Sequence, residues 1–192
     1  MNAPCMEIHP SHAVSNVVLI GCKPHSGGGI TLKSSRRAID FLRGTGRSAS
    51  GYTHAQILGW DDDSWESEHD FIQWVFPTDI PSRFNPEAPT LDAGAIGILR
   101  ADPEVQANLG LGLERFLGFL GLTRGPAGIQ FAGKVGNVWL HENHNWLRVS
   151  RCLRCLTLLG RQGDAAEFHR FLAGLSGIPD RVRDYWSQAL SA

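Results

Sequence analysis

The chain has 192 residues, 42% of them hydrophobic and 19% charged, with a formal net charge of -1. That length buries a single core without disulfide or metal staples, and near-neutrality supplies no field for nucleic acid or an anionic membrane surface. No apolar run approaches the roughly 20 residues that a transmembrane segment needs, and Met1 to His12 lacks the basic start of a secretory signal. The cysteines (Cys5, Cys22, Cys152, Cys155) need no pairing in a domain of this size, so a reduced, cytoplasmic protein is expected.

Residues 1–33 offer one short apolar run, Val17 to Ile20, and then the loop Pro24 to Gly29, which reads as a flexible or weakly structured extension. Ser35 is placed to cap a helix carrying Ile39 and Leu42 and ending at Gly44. Thr53 caps a short turn through Ile57 and Leu58. Asp63 or Ser64 then opens a helix that runs to Pro77. On it, Trp65, His69, Ile72 and Phe76 recur at steps of four, three and four, which defines one apolar face. The carboxylates of its first turn suit the helix dipole.

Pro81 to Pro89 is an extended connection, after which Thr90 caps a short helix bearing Ile96 and Leu99. Asp102-Pro103-Glu104 is a strong helix start: a capping residue, a proline at the first helical position and an early carboxylate. Val105, Leu109, Leu113, Phe116, Leu117 and Leu120 follow at three- and four-residue steps, and Gly121 ends the run. Thr123 to Gly136 reads as a mobile glycine-rich loop. A helix from Asn145 to Leu159 buries Trp146, Val149, Leu153 and Leu156. Asp164 with Glu167 resembles a capping box for the next helix, and Pro179 opens the last, with Val182, Trp186 and Leu190. The sum is a mainly α fold: a single compact helical domain of about seven helices over residues 34–192 behind the N-terminal extension.

Several constellations invite a chemical reading. His141 and His144 with Cys152 and Cys155 have zinc-like residue types, but the cysteines lie mid-helix and the histidines some two turns away, so four ligands do not converge. The same cysteines lack the strand-to-helix setting of a redox pair. His69 with Glu66, Glu68 and Asp70 forms either an acid/base or metal cluster or a solvated acidic turn rimming the core. The rival class to a binding protein is therefore a metal-dependent enzyme or metalloprotein using His69, Glu66, His141 and His144; a regulatory or toxin–antitoxin partner is a third reading. Zincin, nucleophile-elbow and phosphate-loop signatures are absent. Arg148, Arg151 and Arg154 wind along one helix, and Arg148 or Arg151 is expected to pair with a carboxylate from Glu66 to Asp70.

Glu68-His69-Asp70-Phe71-Ile72-Gln73-Trp74-Val75-Phe76-Pro77 closely resembles the H-x-y-I-Q-W-L-F-P signature of the opioid growth factor receptor conserved region. Phe84 to Leu91 is similar to that family's proline-rich link, and Glu114 to Leu122 to its M-L-x-F-Y-G-L helix end. Asn143-His144-Asn145-Trp146-Leu147-Arg148-Val149-Ser150-Arg151-Cys152-Leu153 resembles N-H-N-x-L-R-I-T-R-I-L. Cys152 stands where the family tends to have isoleucine, so the cysteine pair looks incidental. The resemblance covers roughly Phe41 to Leu175 and implies fold and family before function.

In animals the region is the N-terminal part of a receptor for the peptide Met-enkephalin, associated with the nuclear envelope. This chain looks like the stand-alone form found in simpler organisms, including bacteria. The implication is a non-enzymatic binding or interaction module with an unidentified protein or peptide ligand, no cofactor and no nucleic-acid partner. The signature positions His69, Gln73, Trp74, Asn145, Arg148 and Arg151 are the implied binding residues.

Overall fold

A computed structural model describes residues 28–83, 85–133 and 136–191. Of the extension expected over residues 1–33, residues 1–27, with Cys5 and Cys22, lie outside the described residues, and residues 28–33 belong to the first helix. Among those described, nine α-helices and one two-stranded sheet give the mainly α fold expected from periodicity. No described helix is long and apolar enough to cross a membrane.

Helix α1 (Gly28–Leu42) begins well before the start expected at Ser35. Ser35 is not a cap. Its hydroxyl donates to Asp92 Oδ2 at 2.8 Å, with Thr90 O a second acceptor within reach at 3.1 Å, so it is spent on a tertiary contact. Helix α2 (His54–Leu58) carries the expected Thr53 cap as a complete capping box with Gln56, satisfying two orphan N–H donors reciprocally.

The helix expected from Asp63 to Phe76 is broken in two. Helix α3 (Asp62–Ser67) is capped by Asp61 and stops at Glu68, whose ψ of 140° is extended; α4 (Ile72–Val75) follows. Burial explains the break. Trp65, Phe71, Ile72, Trp74, Val75 and Phe76 are all buried, and a continuous helix presents only one apolar stripe. Re-aiming the chain at Glu68 brings the consecutive apolar residues inward from more than one side.

Helix α5 (Ala93–Ala101) takes Asp92 as its cap through Ala95 N at 2.8 Å, whereas Thr90 forms an isolated parallel bridge with Thr78. Helix α6 (Pro103–Phe119) starts as expected, with Asp102 accepting from Glu104 N and Val105 N. Its six predicted apolar positions, Leu120 included, are buried. Gly121 follows at φ +72°, a conformation that disfavours a side chain.

The expected loop over residues 123–136 is instead partly a hairpin: β1 (Leu122–Gly125) pairs antiparallel with β2 (Gly128–Phe131). Arg124 holds it, reaching Glu114 at 2.6 Å, Asp164 at 2.6 Å and Glu167. Asp164 and Glu167 therefore anchor the hairpin rather than cap a helix; α8 (Gln162–Ala173) starts before them. Helix α7 (Asn145–Leu158) packs on α8 and on α9 (Asp180–Ala189), while α6 packs on α1, α2, α5 and β1. One continuous apolar cluster joins both halves.

His54 is 2% exposed, stands edge-on to Phe41 at 5.5 Å between ring centroids, and its Nε2 has no partner. Burial lowers its pKa from the ordinary 6.5 to about 4. The unfolded chain therefore takes up a proton that the folded chain refuses as pH falls from about 6.5 to about 4. Stability is present above that window and lost through it. Between pH 7 and 4.5 the loss through this one ring is expected to be about 2–3 kcal/mol. His54→Phe should remove that part of the pH dependence in urea titrations. Equal losses in both proteins would assign the acid sensitivity elsewhere.

Candidate binding groove

The arginine helix meets the broken acidic-aromatic segment, though not through the carboxylates expected. Arg148 Nη1 donates to Trp65 O at 2.6 Å and to Asn145 Oδ1 at 3.0 Å, and Nη2 donates to Glu68 O at 2.6 Å. The last carbonyls of α3 lack intrahelical partners, so this guanidinium caps that helix from another part of the chain. A cation there also complements the helix dipole. The Arg148 cation lies 5.3 Å from the Phe71 ring centroid. Desolvation lowers its pKa to about 10, with Glu66 opposing the shift, and it stays charged at neutral pH.

One turn on, Arg151 Nη1 donates to Phe76 O at 3.2 Å and to Thr78 Oγ1 at 3.4 Å. It thus serves the end of α4 as Arg148 serves the end of α3. Burial lowers its pKa too. Only Arg154 makes a paired-charge contact, a two-pronged bridge to Asp79 with both N–O distances 2.7 Å. That bond holds the Asp79 carboxyl below the usual range. The residues expected to pair, Arg148 or Arg151 with Glu66, Glu68 or Asp70, use backbone carbonyls instead.

Glu66 is held by Asn145 Nδ2 at 2.9 Å and lies 3.4 Å from His144 Nε2. His144 and His69 sit with ring centroids 5.3 Å apart. The His144 pKa is lowered, first by desolvation and then by Arg148, with Glu66 opposing and His69 adding to the shift. Among the described residues no group of three or more His, Cys, Asp or Glu is placed to hold a metal. The set His69, Glu66, His141 and His144 is therefore not assembled as a metal centre. Cys152 and Cys155 are fully buried free thiols, their pKa values pushed up by desolvation. A neutral, inaccessible thiol is a poor ligand and nucleophile.

Between the broken segment and α7 lies a cavity of about 400 Å³, within the range of roughly 300–1,000 Å³ common for ligand pockets. His69, Gln73, Arg148 and Arg151 line it, with apolar walls from Ile72, Pro81 and Leu147. Gln73, with its amide nitrogen turned inward, donates to Asp70 O at 2.9 Å, so the side chain also braces the turn before α4. The other two signature residues lie elsewhere. Trp74 is buried in the core, 5.5 Å from Phe41 between centroids and under the Arg37 guanidinium. Asn145 is buried behind the cavity, bridging Glu66 and Arg148. His144 lines the cavity too, and so do Pro81, Ser82, Arg83 and Leu147, which were not singled out as site residues. Leu147 carried a usable signal, an apolar residue on the polar side of the helix that buries Trp146 and Val149.

The sequence model of the opioid growth factor receptor (OGFr) conserved region matches residues 53–186. The opioid growth factor receptor of Homo sapiens is 30% identical over 149 residues, covering 70% of this chain and 22% of that protein. Those of Rattus norvegicus and Mus musculus are 32% and 31% identical, covering 60% and 64% of this chain and 21% and 20% of theirs. The chain thus spans about a fifth of the length of these curated relatives. No solved structure matches it. On this match, across both the broken segment and the arginine helix, the chain belongs to the opioid growth factor receptor conserved-region family.

Proposed function

We propose that this chain is a non-enzymatic binding module, with residues 34–192 as its unit, working in the cytoplasm on a protein or peptide ligand. The observation that carries the reading is the cavity of about 400 Å³ over His69, Gln73, Arg148 and Arg151. It combines apolar walls with a few convergent donors, the usual composition of a ligand site. The relatives' printed name, opioid growth factor receptor, supports a peptide as the ligand class.

The test is to titrate the purified full chain with Met-enkephalin and with a panel of unrelated short peptides, followed by NMR. Binding in the groove is expected to move the His69 and His144 ring signals, the Gln73 side-chain amide and the Leu147 methyls together. Leu147→Asp, a change at an exposed position, should abolish those shifts while leaving the rest of the spectrum in place. The absence of shifts with every peptide at millimolar concentration would end the reading.

A further inference from the structure

The main cavity does not stand alone. Leu147 lines it, a second of about 340 Å³ and a third of about 240 Å³. Tyr185 is shared by the second and third, and Arg151 by the first and second. The three hollows therefore form one track across the outer face of α7. Ile80, Leu147 and Tyr185, at 53%, 57% and 57% exposure, stand along it. Large apolar side chains clustered around hollows mark an interaction surface more than isolated exposure does.

The charge along the track is one-sided. Among the residues lining the three hollows Glu142 alone carries a carboxylate, and Arg181 engages it. Of the carboxylates on neighbouring residues, Glu66 is engaged by Asn145 and His144 and Asp79 by Arg154. Three cations are not so matched. Arg148 and Arg151 give their hydrogen bonds to carbonyls, a hydroxyl and an amide oxygen, and those partners carry no charge. Arg83 is exposed at the rim. Among the described residues none of the three has a carboxylate within ion-pair distance. Arg148 is 5% exposed and is already influenced by Glu66, whereas Arg151 and Arg83 are more accessible. The planar geometry of an unpaired guanidinium suits an oxyanion from outside.

We infer that the three-hollow track over α7 binds an extended acidic segment of a partner protein, its carboxylates facing Arg83 and Arg151 over the buried Arg148 and its apolar side chains covering Ile80, Leu147 and Tyr185. The inference rests on the peptide-binding reading above and adds the chemistry of the peptide. An extended chain suits the track because its rise of about 3.3 Å per residue lets one short segment reach all three hollows. Arg and Tyr are also the residue types that anchor such interfaces.

The test uses the full chain and three fluorescein-labelled, end-capped heptapeptides that alternate leucine with aspartate, asparagine or lysine, read by anisotropy at 50 mM salt. The aspartate peptide is expected to bind at least tenfold tighter than the asparagine one, and the lysine peptide not at all. Arg83→Gln, at an exposed position outside the core, should weaken the aspartate peptide by about three- to tenfold and leave the asparagine peptide unchanged. Tyr185→Ser should weaken both. Equal affinity for the aspartate and asparagine peptides would overturn the acidic assignment while leaving a peptide module standing. A phosphoserine version binding tenfold tighter than aspartate would overturn it in favour of phosphorylated segments. If none of the peptides binds, and those of the previous test do not bind either, both readings fall.

Discussion

Replacing Arg148 with methionine is expected to lower the free energy of unfolding by about 3–5 kcal/mol, despite a side chain of similar reach and no change to the apolar core. The loss comes from the partners left behind. Trp65 O and Glu68 O each accept from this guanidinium at 2.6 Å, and the Arg148 contact with Trp65 O is buried. A hydrogen bond to a charged group contributes about 1.5–3 kcal/mol, and a buried acceptor without a partner carries its own desolvation penalty. Asn145 loses a partner as well, from 3.0 Å. Arg148→Lys should recover less than half, because one ammonium does not reproduce the fork that spans two carbonyls. Urea unfolding checks this: the midpoint should fall with an unchanged slope. A loss below about 1 kcal/mol for the methionine variant would show that water replaces the arginine without penalty.

The second large effect lies at Trp65, which is fully buried. Its ring packs 4.7 Å from Phe71 and 5.6 Å from Phe119 between centroids, with the Arg115 guanidinium 4.6 Å above it. Its Nε1 donates to Ile57 O at 3.0 Å, tying α3 to α2. Trp65→Ala removes the packing and opens a cavity, for about 3–5 kcal/mol. Trp65→Phe keeps a ring but gives up the N–H bond and part of the cation–π contact, for about 1–2 kcal/mol. The gap between the two variants separates volume from hydrogen bonding. Similar losses in both would mean that the indole N–H, and not the ring, holds the site together.

How much of this was legible depends on what a residue letter can encode. The start of α6 was, because Asp102-Pro103-Glu104 acts locally and its apolar steps have a single period. So was Thr53, whose cap needs only Gln56 three residues on. The break at Glu68 was not: the period through Trp65, Ile72 and Phe76 fits one helix, and only the burial of Phe71 and Trp74 on other sides demands two. The hairpin was missed because its strands are four residues each and half-buried, too short to show alternation, and Arg124 holds it through charges from α6 and α8.

At the site, His69, Gln73, Arg148 and Arg151 were reached through the family signature, and all four line the cavity. Their contacts were harder to see. A pairing of arginine with glutamate has two letters to suggest it, whereas a backbone carbonyl exists at every position and has none. The Arg148 and Arg151 caps were therefore invisible, and the Arg154–Asp79 bridge lay just beyond the carboxylates considered.

The caps supplied by α7 also set an order of assembly. Helices α3 and α4 have six and four residues, too few to persist alone in water. The groups that terminate them lie far along the chain: Arg148 is 83 residues beyond Trp65 and Arg151 is 75 beyond Phe76. Closing loops of that size precedes any gain from the contact. During synthesis the segment rich in tryptophan and phenylalanine leaves the ribosome long before the helix that completes it. Its apolar side chains pack on α1, α2 and α6 as these appear, but the carbonyls at the ends of α3 and α4 have no arginine until α7 has emerged.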